Sequence, residues 1–173
     1  MRCPACGHDN LPGLDECVEC SGSLMQEDLP QPDTPVKRTI MVDPITALHS
    51  PVPECVPAGT TVAEAIARMT AKNVGYVLVT DADGRLAGIF TERDVLLKVA
   101  GELNDLSQTA VDTLMTPNPT AVKPTEPIKH ALFAMAHNSF RHVPILDEAG
   151  RPTGITTVRH IVEFIESISS AQT

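Results

Sequence analysis

The sequence predicts a mixed α/β (α+β) fold: two packed copies of one β-α-β-β-α unit, preceded by a small ribbon held by four cysteines. Two observations carry this. Sliding the chain by sixty-six residues aligns 45–100 with 111–166 without a gap, pairing Leu48 with Leu114, Pro51 with Pro117, Met69 with Met135, Val77 with Val143 and Gly84 with Gly150. A repeat of this kind marks one supersecondary unit that buries its apolar face against its twin. The second observation is the pair of C-x2-C sequences at Cys3/Cys6 and Cys17/Cys20. The resulting boundaries are 1–24 for the ribbon, 25–38 for a linker, 39–106 for the first repeat and 107–173 for the second.

In chain order, the ribbon comes first. Two residues between thiols aim both sulfurs at one ion, and two such knuckles complete a tetrahedral site of Cys3, Cys6, Cys17 and Cys20. Gly7 and Gly22 stand where such turns need positive φ. Twenty residues with so few large apolar side chains cannot fold on a core, so a staple is required. Zn2+ fits best, with an iron site of rubredoxin type and disulfides as the other readings. All four positions are protein ligands, which makes the metal structural. The segment resembles the zinc ribbons found at one end of many prokaryotic multidomain proteins. His8 reads as a solvated neighbour. Residues 25–37 are acidic and hold three prolines, the composition of a semi-rigid tether that leaves the ribbon mobile.

Each repeat opens with an extended, proline-bounded stretch, 50–56 or 116–122. A helix follows: Thr61 and Glu64 form a capping-box pattern with Val62, Ile66 and Met69 on one face, and Thr125 precedes Ile128, Leu132 and Met135. Strands at 76–80 and 142–146, turns at Asp81–Gly84 and Asp147–Gly150, strands at 86–90 and 152–156 and final helices at 91–100 and 157–168 complete the units. Pro144 argues for an edge position. The wide stripe of Ile161, Phe164, Ile165 and Ile168 exceeds that of Val95 and Val99 and points to a partner helix, from a second subunit.

Charge weighs against one function class. The chain carries a net charge of −9; residues 1–36 hold one cation and seven acids, the remainder twelve cations and fifteen acids. Phosphate backbones demand clustered Lys and Arg, so nucleic-acid binding is disfavoured, most of all by the ribbon. No apolar run spans a bilayer and no export signal precedes the cysteines, so the expected location is cytoplasmic. No catalytic triad or paired-carboxylate site is apparent. His49, His130 and His137 lack ligand spacing and read as surface or core residues; Cys55 reads as a small core residue.

The repeated segment Gly88-Ile89-Phe90-Thr91-Glu92-Arg93-Asp94, matched by Gly154-Ile155-Thr156-Thr157-Val158-Arg159-His160, sits at a strand-to-helix junction. There a hydroxyl and a carboxylate meet free helix amides, an arrangement that suits phosphate and ribose. Thr91-x-x-Asp94 is equally the pattern of a helix cap.

Together with the lead-in prolines, the Arg141-His142-Val143-Pro144 strand and the Asp-x-x-Gly turns, these segments resemble a tandem pair of CBS domains, the Bateman module, over about 130 of 173 residues. The resemblance implies a regulatory module that is not itself an enzyme. It implies binding of AMP, ADP, ATP or S-adenosylmethionine between the repeats, formation of a homodimer, and signalling to a protein partner. By position, it implies that Asp94 holds ribose, that Thr91 and Arg93 support ribose and phosphate, that Thr116 and Ala121 flank adenine, and that Val74 and Tyr76 wall the cleft. A second site would use Arg141, His142, Thr157, Arg159 and His160. An imidazole cannot accept two ribose hydroxyls as a carboxylate does, so that cleft is expected to be empty, weak or altered; alternatively His160 is a locally bonded helix-start residue. The alternative function is a transcriptional regulator whose ribbon meets nucleic acid and whose repeats serve as a dimerisation scaffold.

Overall fold

The computed structural model describes residues 1–3, 5–24, 34–99, 105–138 and 140–170. Residues 25–33 of the predicted tether and the side chain of His137 lie outside the described ones. In order the elements are α1 (Pro35–Val42), a 3-10 turn (Ile45–Leu48), β1 (Cys55–Pro57), α2 (Val62–Lys72), β2 (Tyr76–Thr80), β3 (Leu86–Thr91) and α3 (Glu92–Asp94), which continues as a π-helical turn over Val95–Val99. Then come β4 (Thr116–Pro117), α4 (Ile128–Asn138), β5 (His142–Leu146), β6 (Pro152–Thr157) and α5 (Val158–Ser170).

The β-α-β-β-α order appears in both halves, for local reasons the sequence carries. In α2 the Thr61 hydroxyl accepts from the Glu64 amide at 3.2 Å and the Glu64 carboxylate accepts from the Thr61 amide at 3.0 Å, a full capping box. Asn73 closes the helix in the left-handed region, φ 51°. Asp81 Oδ1 accepts from the amides of Asp83 and Arg85, and Asp147 Oδ1 from those of Ala149 and Arg151. Gly84 and Gly150 supply φ of 77° and 80° to these paired turns.

Chain packing separates two compact units, one of 1–50, 121–143 and 156–173, the other of 51–120 and 144–155. Each repeat therefore gives its lead-in segment to the core of the other half. In the second unit β1, β2, β3 and β4 form one sheet, with β4 of the second repeat antiparallel to β3 of the first through Gly88↔Pro117 and Ile89↔Thr116. Val111, fully buried, joins Val56, Val62, Ala65, Met69, Val77, Val79 and Phe90 in the core. Gly88 keeps ordinary φ and is small for another reason: a Cβ there would overlap the Met115 side chain.

In the first unit Ile45, Leu48, Ile128, Ala131 and Ile161 are buried. The α4 start is held by the lead-in chain. Its first amide, Ile128, donates to Asp43 O at 3.0 Å, and Ile45 N donates to the preceding Glu126 O at 2.8 Å, so the lead-in chain pairs with this end through both groups. Residues 35–42, partly inside the expected linker, form helix α1, which packs on α4 and α5. Its start follows the rule for N-termini, with Thr34 as cap accepting from Lys37 N at 3.2 Å and proline at the first position.

Candidate functional site

The two cysteine knuckles are built alike. Cys3 O accepts from Gly7 N at 3.0 Å and Cys17 O from Ser21 N at 2.8 Å, each turn closed by an antiparallel bridge, Arg2↔Asp9 and Glu16↔Ser23. Positive φ falls at Gly7 (79°) and at Ser21 (52°), not at Gly22 as expected, because the residue directly after the second cysteine of each pair makes the turn. Gly22 is small because a Cβ would lie 3.2 Å from Cys20 Sγ. The four sulfurs lie within 4.8 Å of one another, with Cys3 to Cys20 at 3.7 Å and Cys6 to Cys17 at 3.6 Å. A tetrahedron of about 2.3 Å zinc–sulfur bonds has edges of about 3.8 Å, so the group fits such an ion. Burial raises the Cys17 thiol, but the backbone amides of Cys20 and Glu19 and the side chains of Asn10 and Cys6 outweigh it and bring the value down to about 6.

The ribbon does not stand apart. Arg2 pairs with Glu126 at the start of α4 and donates through Nε to Gly7 O at 3.0 Å. A Cβ on Gly7 would come within 3.0 Å of His130 Nδ1 and Cε1. His130, 7% exposed, has Nδ1 3.6 Å from Glu126 Oε2, and burial pushes its pKa down. In this structure the ribbon rests on α4.

The second cluster lies at the β3–α3 junction. Asp94, 7% exposed, accepts at Oδ2 from Thr91 N (2.9 Å) and Thr91 Oγ1 (2.7 Å), and pairs at Oδ1 with Lys98 Nζ (2.7 Å). Lys98 Nζ also donates to Leu114 O at 2.6 Å, two residues before Thr116. Tyr76 faces Thr91 across β2–β3, and Thr116 faces Ile89 across β3–β4. Burial raises the Tyr76 hydroxyl to about 12, keeping it neutral. Val74, Tyr76, Leu78, Ile89 and Ile155 pack into one apolar group beside this junction. Thr91, Asp94, Thr116, Tyr76 and Val74 are thus brought to one end of the sheet, while Arg93 points outward as an exposed residue and Ala121 belongs to the other unit. The helix-cap reading of Thr91-x-x-Asp94 is what the bonds show: the carboxylate caps the turn, with Lys98 leaving one lone pair on Oδ1. Lys98 was not singled out from sequence, although its i,i+4 spacing from Asp94 was a readable signal.

At the second junction His160 N donates to Thr157 Oγ1 at 3.2 Å, so the local helix-start bond is present. His160 Nδ1 and the fully buried Thr156 Oγ1 have no hydrogen-bond partner among the described residues. Arg159 pairs with Glu163 at 2.7 Å on the exposed face of α5, and His142 is half-buried. Arg141 lines a shallow groove of about 350 Å³ with Leu132, Met135, Ala136, Phe140 and Val158. Of the residues expected at the second site, it alone lines that groove.

Residues 33–101 and 111–167 each match the CBS domain family. The chain belongs to this family. A CBS domain-containing protein of Arabidopsis thaliana is 39% identical over 92 residues, covering 53% of this chain and 17% of that protein. The chain thus spans about a sixth of that relative's length. A CBS-domain-containing protein from Agrobacterium tumefaciens superposes with TM-score 0.59 at 35% identity, over 66% of this chain and 84% of that one. A CBS domain protein from Pyrobaculum aerophilum complexed with AMP gives TM-score 0.64 at 24% identity, over 72% and 98%. The repeat is thus a pair of CBS domains.

Proposed function

We propose that this CBS pair is a regulatory module that binds an adenosine-containing ligand, an adenine nucleotide or S-adenosylmethionine, at the Asp94 junction and passes its state to a protein partner. The observation that carries the reading is the buried Asp94 carboxylate, fixed by Thr91 and Lys98 at the sheet end that also holds Tyr76 and Thr116. A fixed carboxylate is the acceptor that ribose hydroxyls require, and the Tyr76–Val74 group is an apolar surface of the kind that receives a base. The AMP complex of the Pyrobaculum protein supports the same ligand class. Arg93 serves the phosphate, and Ala121 is assigned to the adenine by resemblance. The Arg141, His142, Thr157, Arg159 and His160 group is a weaker or altered site.

The module itself is not an enzyme in this reading; its output is a change of conformation or assembly, limited by the ligand's difference in affinity between states. Exposed Leu96 and Leu97 on the first final helix, and Val158 and Val162 on α5, support a homodimer. The Cys3, Cys6, Cys17 and Cys20 site holds structural Zn2+. The ribbon's Asp9, Asp15, Glu16 and Glu19 are all exposed, which favours a protein partner over nucleic acid. No helix among the described residues is long and apolar enough to cross a membrane, and we place the protein in the cytoplasm. The test is equilibrium dialysis with radiolabelled AMP and S-adenosylmethionine: saturable binding of either supports the reading, and retention of neither refutes it.

A further inference from the structure

The ribbon and α4 meet through a compact set of contacts that no role in ligand binding requires. Arg2, next to the first cysteine, spans the junction, with Nε on Gly7 O and a guanidinium nitrogen on Glu126. Glu126 is nearly buried, its side chain 13% exposed, and Arg2 is 54% exposed. Glu126 is also the residue whose carbonyl receives Ile45 N and whose carboxylate stands 3.6 Å from His130. Gly7, the turn residue after Cys6, lies against His130, where a Cβ would stand 3.0 Å from the imidazole ring.

We infer that the metal-loaded ribbon is a docked part of the second repeat, so that metal binding at the four cysteines and the order of the α4 start are thermodynamically linked. The ribbon buries little beyond its cysteines and Leu24, so its fold depends on the metal, and the binding energy of a structural ion is folding energy. Gly7 and Arg2 take their positions only when the first knuckle is formed, because Gly7 N must reach Cys3 O and Arg2 Nε must reach Gly7 O. Metal loading therefore presents the surface that Glu126 and His130 receive. Linkage is reciprocal: whatever docking adds to the loaded state must appear as tighter metal binding. The helix so held leads, through residues 128–138, to the strand that begins at His142, which gives ribbon occupancy a route into the repeat.

The test is zinc affinity of the full chain, measured against a chromophoric chelator, in Arg2→Gln, Glu126→Gln and the double variant, together with amide exchange with and without chelation. Each single change should weaken zinc binding about two- to fivefold, the range of a half-exposed ion pair, and the double variant should lose no more than either. Chelation should raise exchange at the start of α4 and leave α2 unaltered. Additive losses would mean that the two residues act on the cysteines separately by charge, and would overturn the linkage. Unchanged affinity, or α4 exchange indifferent to chelation, would overturn it equally. No nucleotide enters the experiment, so a failure of ligand binding elsewhere is a separate result.

Discussion

Gly88→Ala isolates the packing that sets the position of Thr116. Gly88 lies in β3 opposite Pro117, and its φ is ordinary, so alanine would meet no backbone penalty. What it meets is Met115, whose Sδ a Cβ would overlap and whose Cγ and Cε would stand at 2.8 and 2.9 Å. Met115 is half-buried against the Val56, Val77 and Phe90 core and has limited room to retreat. Overpacking of this type costs about 1–3 kcal/mol. Urea denaturation should show that loss, with an unaltered m-value. In a Met115→Ala background the same glycine substitution should cost close to nothing, because the atoms it meets are gone. The coupling from the four proteins should therefore equal most of the single-variant loss. A neutral Gly88→Ala, or a loss that persists after Met115 is truncated, would refute the argument that the glycine serves close approach of β4.

Three further outcomes follow from named contacts. Lys98→Met removes the tie between Asp94 Oδ1 and Leu114 O; because Lys98 is 40% exposed, stability should fall by less than about 1 kcal/mol, while AMP affinity falls severalfold in calorimetric titration. Thr61→Ala breaks the α2 capping box and should cost about 1 kcal/mol, read as a melting temperature lowered by about 2–4 °C with ligand affinity unchanged. Burial holds the His130 pKa below its unfolded value, so its contribution is fully present above about pH 6.5 and is lost as pH falls through the depressed folded value. His130→Gln should flatten the dependence of stability on pH in that acid window, measured by denaturation at stepped pH.

Local features were legible in the sequence. The Thr61 and Glu64 box, the Asp81 and Asp147 turns and the four-cysteine cluster each depend on residues a few positions apart, and each formed as its pattern required. The period of sixty-six residues exposed the fold because both copies must present the same core face. What stayed hidden depends on distant chain. The burial of Val111 among the first repeat's core residues, and of Ile45 beside Glu126, follows from lead-in segments crossing to the other half, which no periodicity encodes. Prolines and acids masked α1, although Thr34-Pro35 was a readable start signal. The seating of the ribbon depends on Arg2 meeting a glutamate 124 positions away, and His130 carried no local sign of that contact. At the candidate site, Thr91 and Asp94 were legible as a motif, and Lys98 was overlooked because its partner Leu114 O is supplied by the second repeat.

The central claim is that Asp94 receives the ribose of an adenosine-containing ligand. Calorimetric titration of the full chain with AMP, ADP, ATP and S-adenosylmethionine, beside Asp94→Ala and His160→Ala, tests it most directly. The account predicts saturable binding near one ligand per chain, weakened about 10- to 150-fold by Asp94→Ala, the equivalent of about 1.5–3 kcal/mol for a hydrogen bond to a charged acceptor. His160→Ala should alter that binding little. Equal losses from both variants, or no binding of any of the four ligands to the folded protein, would contradict it.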